Sequence, residues 1–159
     1  MAEAGANVKA GAKKSAASPP NKMYAGDVPP RDAWALLANE RTAVLVDCRT
    51  RAEWNFVGVP DLSSLGKKLV LVEWQAWPAM GQNPAFADEL VRAGVSPDVP
   101  VVFLCRSGGR SRAAAIAMTE RGFRRCYNLA GGFEGPQDAS GHRGTVAGWK
   151  HDGLPWSQE

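Results

Sequence analysis

The chain has 159 residues, 45% hydrophobic and 22% charged, with three cysteines and a formal charge of +3. This suits one domain with its own core, and Cys48, Cys105 and Cys126 are too few, too far apart and odd in number for a disulfide framework. None lies in a CxxC or CxxH pair, so no metal site is expected, and no apolar run approaches the ~20 residues of a membrane span. Lys9, Lys13, Lys14 and Lys22, against Glu3, account for the whole net charge, and residues 23–159 balance at 15 basic and 15 acidic groups. A body without a net field is not expected to bind nucleic acid or a membrane surface.

Residues 1–22 are rich in Ala, Lys, Gly, Ser and Pro and read as a disordered tail. They lack the apolar stretch of a signal peptide and the arginines of a transit peptide, so a cytoplasmic location is expected. The folded domain is expected over 23–159. Pro29-Pro30 precedes a short amphipathic helix through Asp32–Leu37. Ala43–Asp47 and Lys68–Glu73 are apolar, β-branched runs that read as buried strands. Asn83-Pro84 opens a helix through Phe86, Leu90 and Val91 that Gly94 closes. Val99–Leu104 is the clearest strand, a helix follows over Ser111–Arg121, and Arg125–Leu129 is a last strand before Gly131-Gly132. Apolar strands alternating with helices predict an α/β fold, a small parallel sheet with helices on both faces. Functional groups in such sheets gather beyond the carboxyl ends of the strands.

One segment at such an end combines several features. Cys105-Arg106-Ser107-Gly108-Gly109-Arg110 follows the clearest strand and leads directly into a helix. Glycines let successive N–H groups turn inward as an anion-binding nest, and the helix start adds unpaired donors and a positive dipole end. Arg106, Arg110 and Arg112 add charge. This setting favours the thiolate of Cys105 as a nucleophile and would hold a small anionic substrate on Arg106, Ser107, Gly108, Gly109 and Arg110.

This loop resembles the active-site loop of single-domain rhodaneses, the thiosulfate and persulfide sulfurtransferases. Leu45–Trp54, with Asp47, Arg49, Glu53 and Trp54 in place, is similar to the first rhodanese signature. Asn128–Gly135 and the closing Gly148-Trp149 and Gly153-Leu154-Pro155 resemble the later ones, so the likeness covers residues 25–157. It implies a rhodanese-like sheet of about five strands and Cys105 as sulfur acceptor. The implied reaction is a double displacement through a Cys105 persulfide, from a small anionic sulfur donor to cyanide, a low-molecular-weight thiol or a protein cysteine. It calls for no metal or organic cofactor.

Two other functions share this design. A cysteine phosphatase needs five residues between cysteine and closing arginine, whereas four separate Cys105 from Arg110. A persulfide carrier or binding module would keep the loop without turnover. In the first signature, Asp47 and Arg49 are expected to tie the strand end to its neighbours, and Arg49 to pair with Glu53 four residues on. The histidine that usually follows the signature's glycine is absent, since Val59 follows Gly58. Cys48, at a strand end near Cys105, reads as a packed thiol with a resolving role as the alternative, and Cys126 reads as core. The segments 74–81 and 136–144 are longer than a minimal rhodanese needs. Trp74, Trp77 and Met80 either form an apolar lip for an acceptor or pack inward with most of the six tryptophans. His142 reads as exposed and inert.

Overall fold

The computed structural model describes residues 23–158; the tail expected over 1–22 lies outside them. Strand β1 (Gly26–Val28) leads into helix α1 (Pro30–Asn39), which has Pro30 in its first turn and buries Ala33 and Leu37. Strand β2 (Val44–Asp47) follows, then the short helix α2 (Arg51–Phe56). A two-residue strand β3 (Val59–Pro60) and a 3-10 turn (Ser63–Leu65) lead to β4 (Val70–Leu71). Strands β5 (Gln75–Ala76) and β6 (Gly81–Gln82) precede α3 (Phe86–Arg92). The last part holds β7 (Pro100–Leu104), α4 (Gly109–Glu120), β8 (Arg125–Leu129) and β9 (Trp156–Ser157).

Five strands form one sheet in the order β1-β8-β7-β2-β4, with every neighbouring pair parallel. The central strand β7 is buried over its whole length. Its side chains alternate between two cores. Val101 and Phe103 join Phe86 and Leu90 of α3 and Ala114, Ala115 and Met118 of α4 on one face. Val102 and Leu104 join Ala33 and Leu37 of α1, with Leu129, Phe133 and Trp149, on the other. This two-sided burial is why the strand reads as an unbroken apolar run. The alternation carries Cys105 onto the α3/α4 face, immediately past the strand's carboxyl end.

The expected fold class holds, a parallel α/β sheet of five strands covered on both faces. Several elements depart from expectation, strands β1, β3, β5, β6 and β9 among them, since the sequence marks none of these as strands. The strand expected over Lys68–Glu73 pairs only at Val70–Leu71, because β4 is an edge strand with β2 as its one neighbour. Helix α4 starts at Gly109, two residues early, because Gly108 (φ 119°) turns the chain and its carbonyl accepts the Arg112 N–H at 3.2 Å. Helix α2 was not expected at all. Thr50 caps it, accepting the Glu53 N–H at 3.2 Å while the Glu53 carboxylate accepts the Thr50 N–H at 3.1 Å, a reciprocal capping box. Among the described residues, no helix is long and apolar enough to cross a membrane.

Candidate active site

The loop that leaves β7 wraps the Cys105 sulfur. The Gly108 N–H donates to Sγ at 3.1 Å, and the Ser111 hydroxyl oxygen lies 3.2 Å from it. Cys105 is 1% exposed, whereas Arg106, Ser107 and Gly109 are exposed and Gly108 and Arg110 half-buried. Gly109, Arg110 and Ser111 occupy the first turn of α4, where backbone N–H groups have no acceptor within the helix. A residue with a side chain at position 108 would find only ordinary contacts, 3.7 Å to Asn128 Nδ2, so the turn needs glycine for its backbone angle rather than for space.

The back of the loop is fixed by the turn after β8. The Phe133 N–H donates to the Cys105 carbonyl at 2.8 Å, and the Glu134 and Gly135 N–H groups donate to the Arg106 carbonyl at 3.0 and 3.2 Å. Gly132 (φ 66°) permits this approach, since a Cβ there would stand 2.5 Å from the Arg106 carbonyl carbon and oxygen. The resemblance marks this segment, but nothing in the sequence shows that its glycine is the floor of the cysteine loop.

Arg110 makes a two-bond fork to Glu53, Nη1 to Oε1 at 2.7 Å and Nη2 to Oε2 at 2.9 Å. The pair expected between Arg49 and Glu53 does not form. Arg49 precedes the cap of α2, so the four-residue spacing does not lie along a helix. Arg49 instead forks onto Asp47, at 2.9 and 2.6 Å, and donates to the Gly58 carbonyl at 2.7 Å. Both partners are fully buried, and the guanidinium carbon sits 4.3 Å from the centre of the Phe133 ring. The expected tie from the strand end to its neighbours is therefore present, running through Gly58 and Phe133.

Burial alone would push the Glu53 carboxyl up. Hydrogen bonds from Arg110 and from the Thr50 N–H, with the Arg110 charge, outweigh that and hold it at about 2. Cys48 is fully buried beside the loop, and burial, with Cys105 and Asp47 nearby, pushes its thiol well up. Cys126 lies in the core of β8 as expected, its thiol pushed up by burial to about 11. No group of three or more His, Cys, Asp or Glu among the described residues is placed to hold a metal ion.

The two long segments split the expected lip. Trp74 turns inward, edge-on to Phe86 at 5.0 Å, and Met80 is half-buried, while Trp77 is 63% exposed. Strands β5 and β6 form a small antiparallel hairpin around it. Of the six tryptophans only Trp149 is fully buried; Trp34, Trp54 and Trp74 are half-buried, and Trp77 and Trp156 exposed. Open clefts of about 320 and 300 Å³ flank residues 82–84, and neither is lined by residues 105–110. Segment 136–144 folds around Asp138, which accepts the Ser140 and His142 N–H groups at 2.8 and 2.9 Å and leaves His142 exposed.

Comparison with known proteins agrees with this fold. The STR4 middle domain family model matches residues 26–159. The chain is 52% identical to Rv0390 of M. tuberculosis, whose crystal structure it matches with a TM-score of 0.78 over 86% of this chain and 99% of that one. It is 32% identical over 107 residues to the thiosulfate sulfurtransferase GlpE of Pseudomonas savastanoi, covering 67% of this chain and 82% of the relative. The polysulfide-sulfur transferase of Wolinella succinogenes, at 24% identity, shares the fold with a TM-score of 0.57 over 84% of this chain and 78% of that one. The chain belongs to the STR4 middle domain family, and its parallel sheet is the rhodanese-like fold.

Proposed function

We propose that the chain is a sulfurtransferase with Cys105 as its nucleophile. The observation that carries this reading is the cysteine sulfur at the end of the central strand, facing the Gly108 N–H at 3.1 Å where a helix begins. Such donors stabilise an anionic sulfur. The name of the GlpE relative, thiosulfate sulfurtransferase, supports the same chemistry.

In the first half-reaction the Cys105 thiolate attacks the outer sulfur of thiosulfate or of a persulfide. A new S–S bond forms to Cys105, and the donor's own S–S bond breaks. Sulfite, or a thiolate, leaves with the electron pair. The charge of the resulting persulfide rests on its outer sulfur, within reach of the loop's N–H groups. In the second half-reaction cyanide, a small thiol or a protein cysteine attacks that outer sulfur and the Cys105 thiolate is regenerated. Arg106 and Ser107, exposed at the mouth, meet the incoming anion. Arg110 acts differently: its fork to Glu53 neutralises much of its charge and braces the start of α4. That commitment also weighs against a phosphatase, which needs a free arginine fork for the transferred phosphoryl group.

Intact mass after incubation with thiosulfate tests the proposal. The expected result is a gain of one sulfur atom that cyanide removes and that Cys105→Ser abolishes. Hydrolysis of aryl phosphates without any sulfur gain would overturn it in favour of a phosphatase. Sulfur gain without turnover to any acceptor would reduce the protein to a persulfide carrier.

A further inference from the structure

Cys105 ends a polar chain that crosses three elements. The Ser111 hydroxyl oxygen lies 3.2 Å from Cys105 Sγ and also 2.5 Å from Asn128 Oδ1. Ser111 and Asn128 are both buried, at 0% and 4% exposure. A serine hydroxyl has one hydrogen, so it can serve the sulfur or the amide oxygen but not both. The orientation of the amide is set from its other end. Asn128 Nδ2 donates to Asp27 Oδ1 at 3.0 Å, and a carboxylate only accepts. The nitrogen must therefore face Asp27 and the oxygen must face Ser111. Sheet register places the two side by side, since Asp27 of β1 pairs with Asn128 of β8. Asp27 Oδ1 also accepts the Tyr24 hydroxyl at 2.9 Å, and Arg112 Nε donates to that hydroxyl at 3.2 Å.

Building on the sulfurtransferase reading, we propose that Asp27 and Asn128 are positioning residues that draw the Ser111 hydrogen away from the Cys105 sulfur. Asn128 Oδ1 competes for that hydrogen, so the thiolate keeps the Gly108 N–H as its fixed donor and is less fully hydrogen-bonded. A less solvated thiolate is the stronger nucleophile. Once the persulfide forms and the charge moves to the outer sulfur, the hydroxyl stays on Asn128 with its hydrogen bond made. No proton is transferred along the chain.

The other charged or titratable groups around Cys105 are the Cys48 thiol beyond β2, Arg110 of α4 with its Glu53 partner from α2, and Arg106 of the loop. All remain in place when Asp27 is replaced. Asp27 is exposed, so Asp27→Ala tests the chain without opening the core. Without the carboxylate the Asn128 amide is free to turn its nitrogen toward Ser111, which commits the hydroxyl hydrogen to the sulfur.

The experiment follows alkylation of Cys105 by iodoacetamide against pH, quantified on the peptide that contains it. Asp27→Ala should raise the rate about threefold on the acid limb, where thiolate is scarce, and lower the alkaline plateau, because a hydrogen-bonded thiolate attacks more slowly. Ser111→Ala removes a hydroxyl whose hydrogen already rests on Asn128, so it should show no such rise. In the Ser111→Ala background, Asp27→Ala should have no effect, since its action runs through that hydroxyl. Loss of the Asp27 charge acting through space would persist there, so equal effects in both backgrounds overturn the proposal, as does no effect in either. Alkylation needs no sulfur donor. A chain that shows this non-additivity but takes no sulfur from thiosulfate keeps the hydroxyl inference and refutes the sulfurtransferase reading; the opposite pair of results does the reverse.

Discussion

Arg110 and Glu53, 57 residues apart in sequence, meet in a two-bond fork that joins the helix after the cysteine loop to the helix after β2. The same Glu53 oxygen that receives Arg110 Nη1 also accepts the Thr50 N–H at 3.1 Å and its hydroxyl at 3.0 Å. One carboxylate thus caps α2 and braces α4.

The fork has an acid signature. The Glu53 carboxyl is held at about 2 in the folded chain, below its ordinary 4.5. A depressed carboxyl contributes stability above its unfolded value, and that contribution is lost as pH falls toward the folded one. Glu53→Gln should lower the Tm at pH 7, and the gap to wild type should narrow as pH falls from 4.5 to about 2. Thermal unfolding of both proteins across that range checks it; a gap that stays constant would show that the charge of Glu53 is not what stabilises.

The Glu53 pairing marks a limit of what was legible in the sequence. The sequence bounds β7 to within one residue because two-sided burial leaves an unbroken apolar run, and bounds β8, which includes Arg125 and Asn128, between Gly122 and Gly131-Gly132. The cysteine loop was legible because its glycines, its arginines and its cysteine are contiguous. What was missed depends on partners brought together by the fold. Ser111, Asn128 and Gly132 reach the loop from a helix, a neighbouring strand and a turn. Spacing alone pairs Glu53 with Arg49, although Thr50 and Glu53 together spell a capping box that starts the helix one residue after Thr50. That local signal places Arg49 outside the helix.

The Asp47–Arg49 pair has no solvent to fall back on. Both side chains are fully buried, and Arg49 Nη1 has no hydrogen-bond partner, its guanidinium lying against Phe133. Removing one member leaves an uncompensated buried charge, which costs about 3–5 kcal/mol. Asp47→Ala should therefore destabilise the fold by that amount in urea titration. The double replacement Asp47→Leu/Arg49→Met should recover much of the loss, since it removes both charges. If the double variant is as unstable as the single, the pair is holding Gly58 in place rather than merely neutralising itself.

Two glycines of the site should respond oppositely. A Cβ at Gly109 meets nothing within 4 Å, whereas one at Gly132 would stand 2.5 Å from the Arg106 carbonyl and the residue sits at φ 66°. Gly109→Ala should leave stability within about 0.5 kcal/mol of wild type. Gly132→Ala should cost about 1–3 kcal/mol or more and slow sulfur loading, because the floor of the loop must shift. Chemical denaturation and the rate of mass gain with thiosulfate separate these effects. Normal loading in Gly132→Ala would mean that the turn does not set the loop's working geometry.

The three cysteines should differ in reactivity by position. The Cys126 thiol, pushed up to about 11, has roughly one thiolate in a thousand molecules at pH 8, and Cys48 is fully buried with its thiol also well up. Both should resist iodoacetamide in the native chain and react only on unfolding, while Cys105, itself 1% exposed but directly under the exposed Arg106, Ser107 and Gly109, reacts at least about tenfold faster. Peptide mapping after timed labelling measures all three at once. The outcome decides the part of Cys48, which lies at the end of β2 beside the strand that carries Cys105. Labelling of Cys48 at a rate comparable to Cys105 would make it an accessible thiol able to attack the persulfide, forming a Cys48–Cys105 disulfide and releasing hydrosulfide. Protection of Cys48 until the fold opens would leave it as packing on the α3/α4 face, with sulfur leaving Cys105 only to an external acceptor.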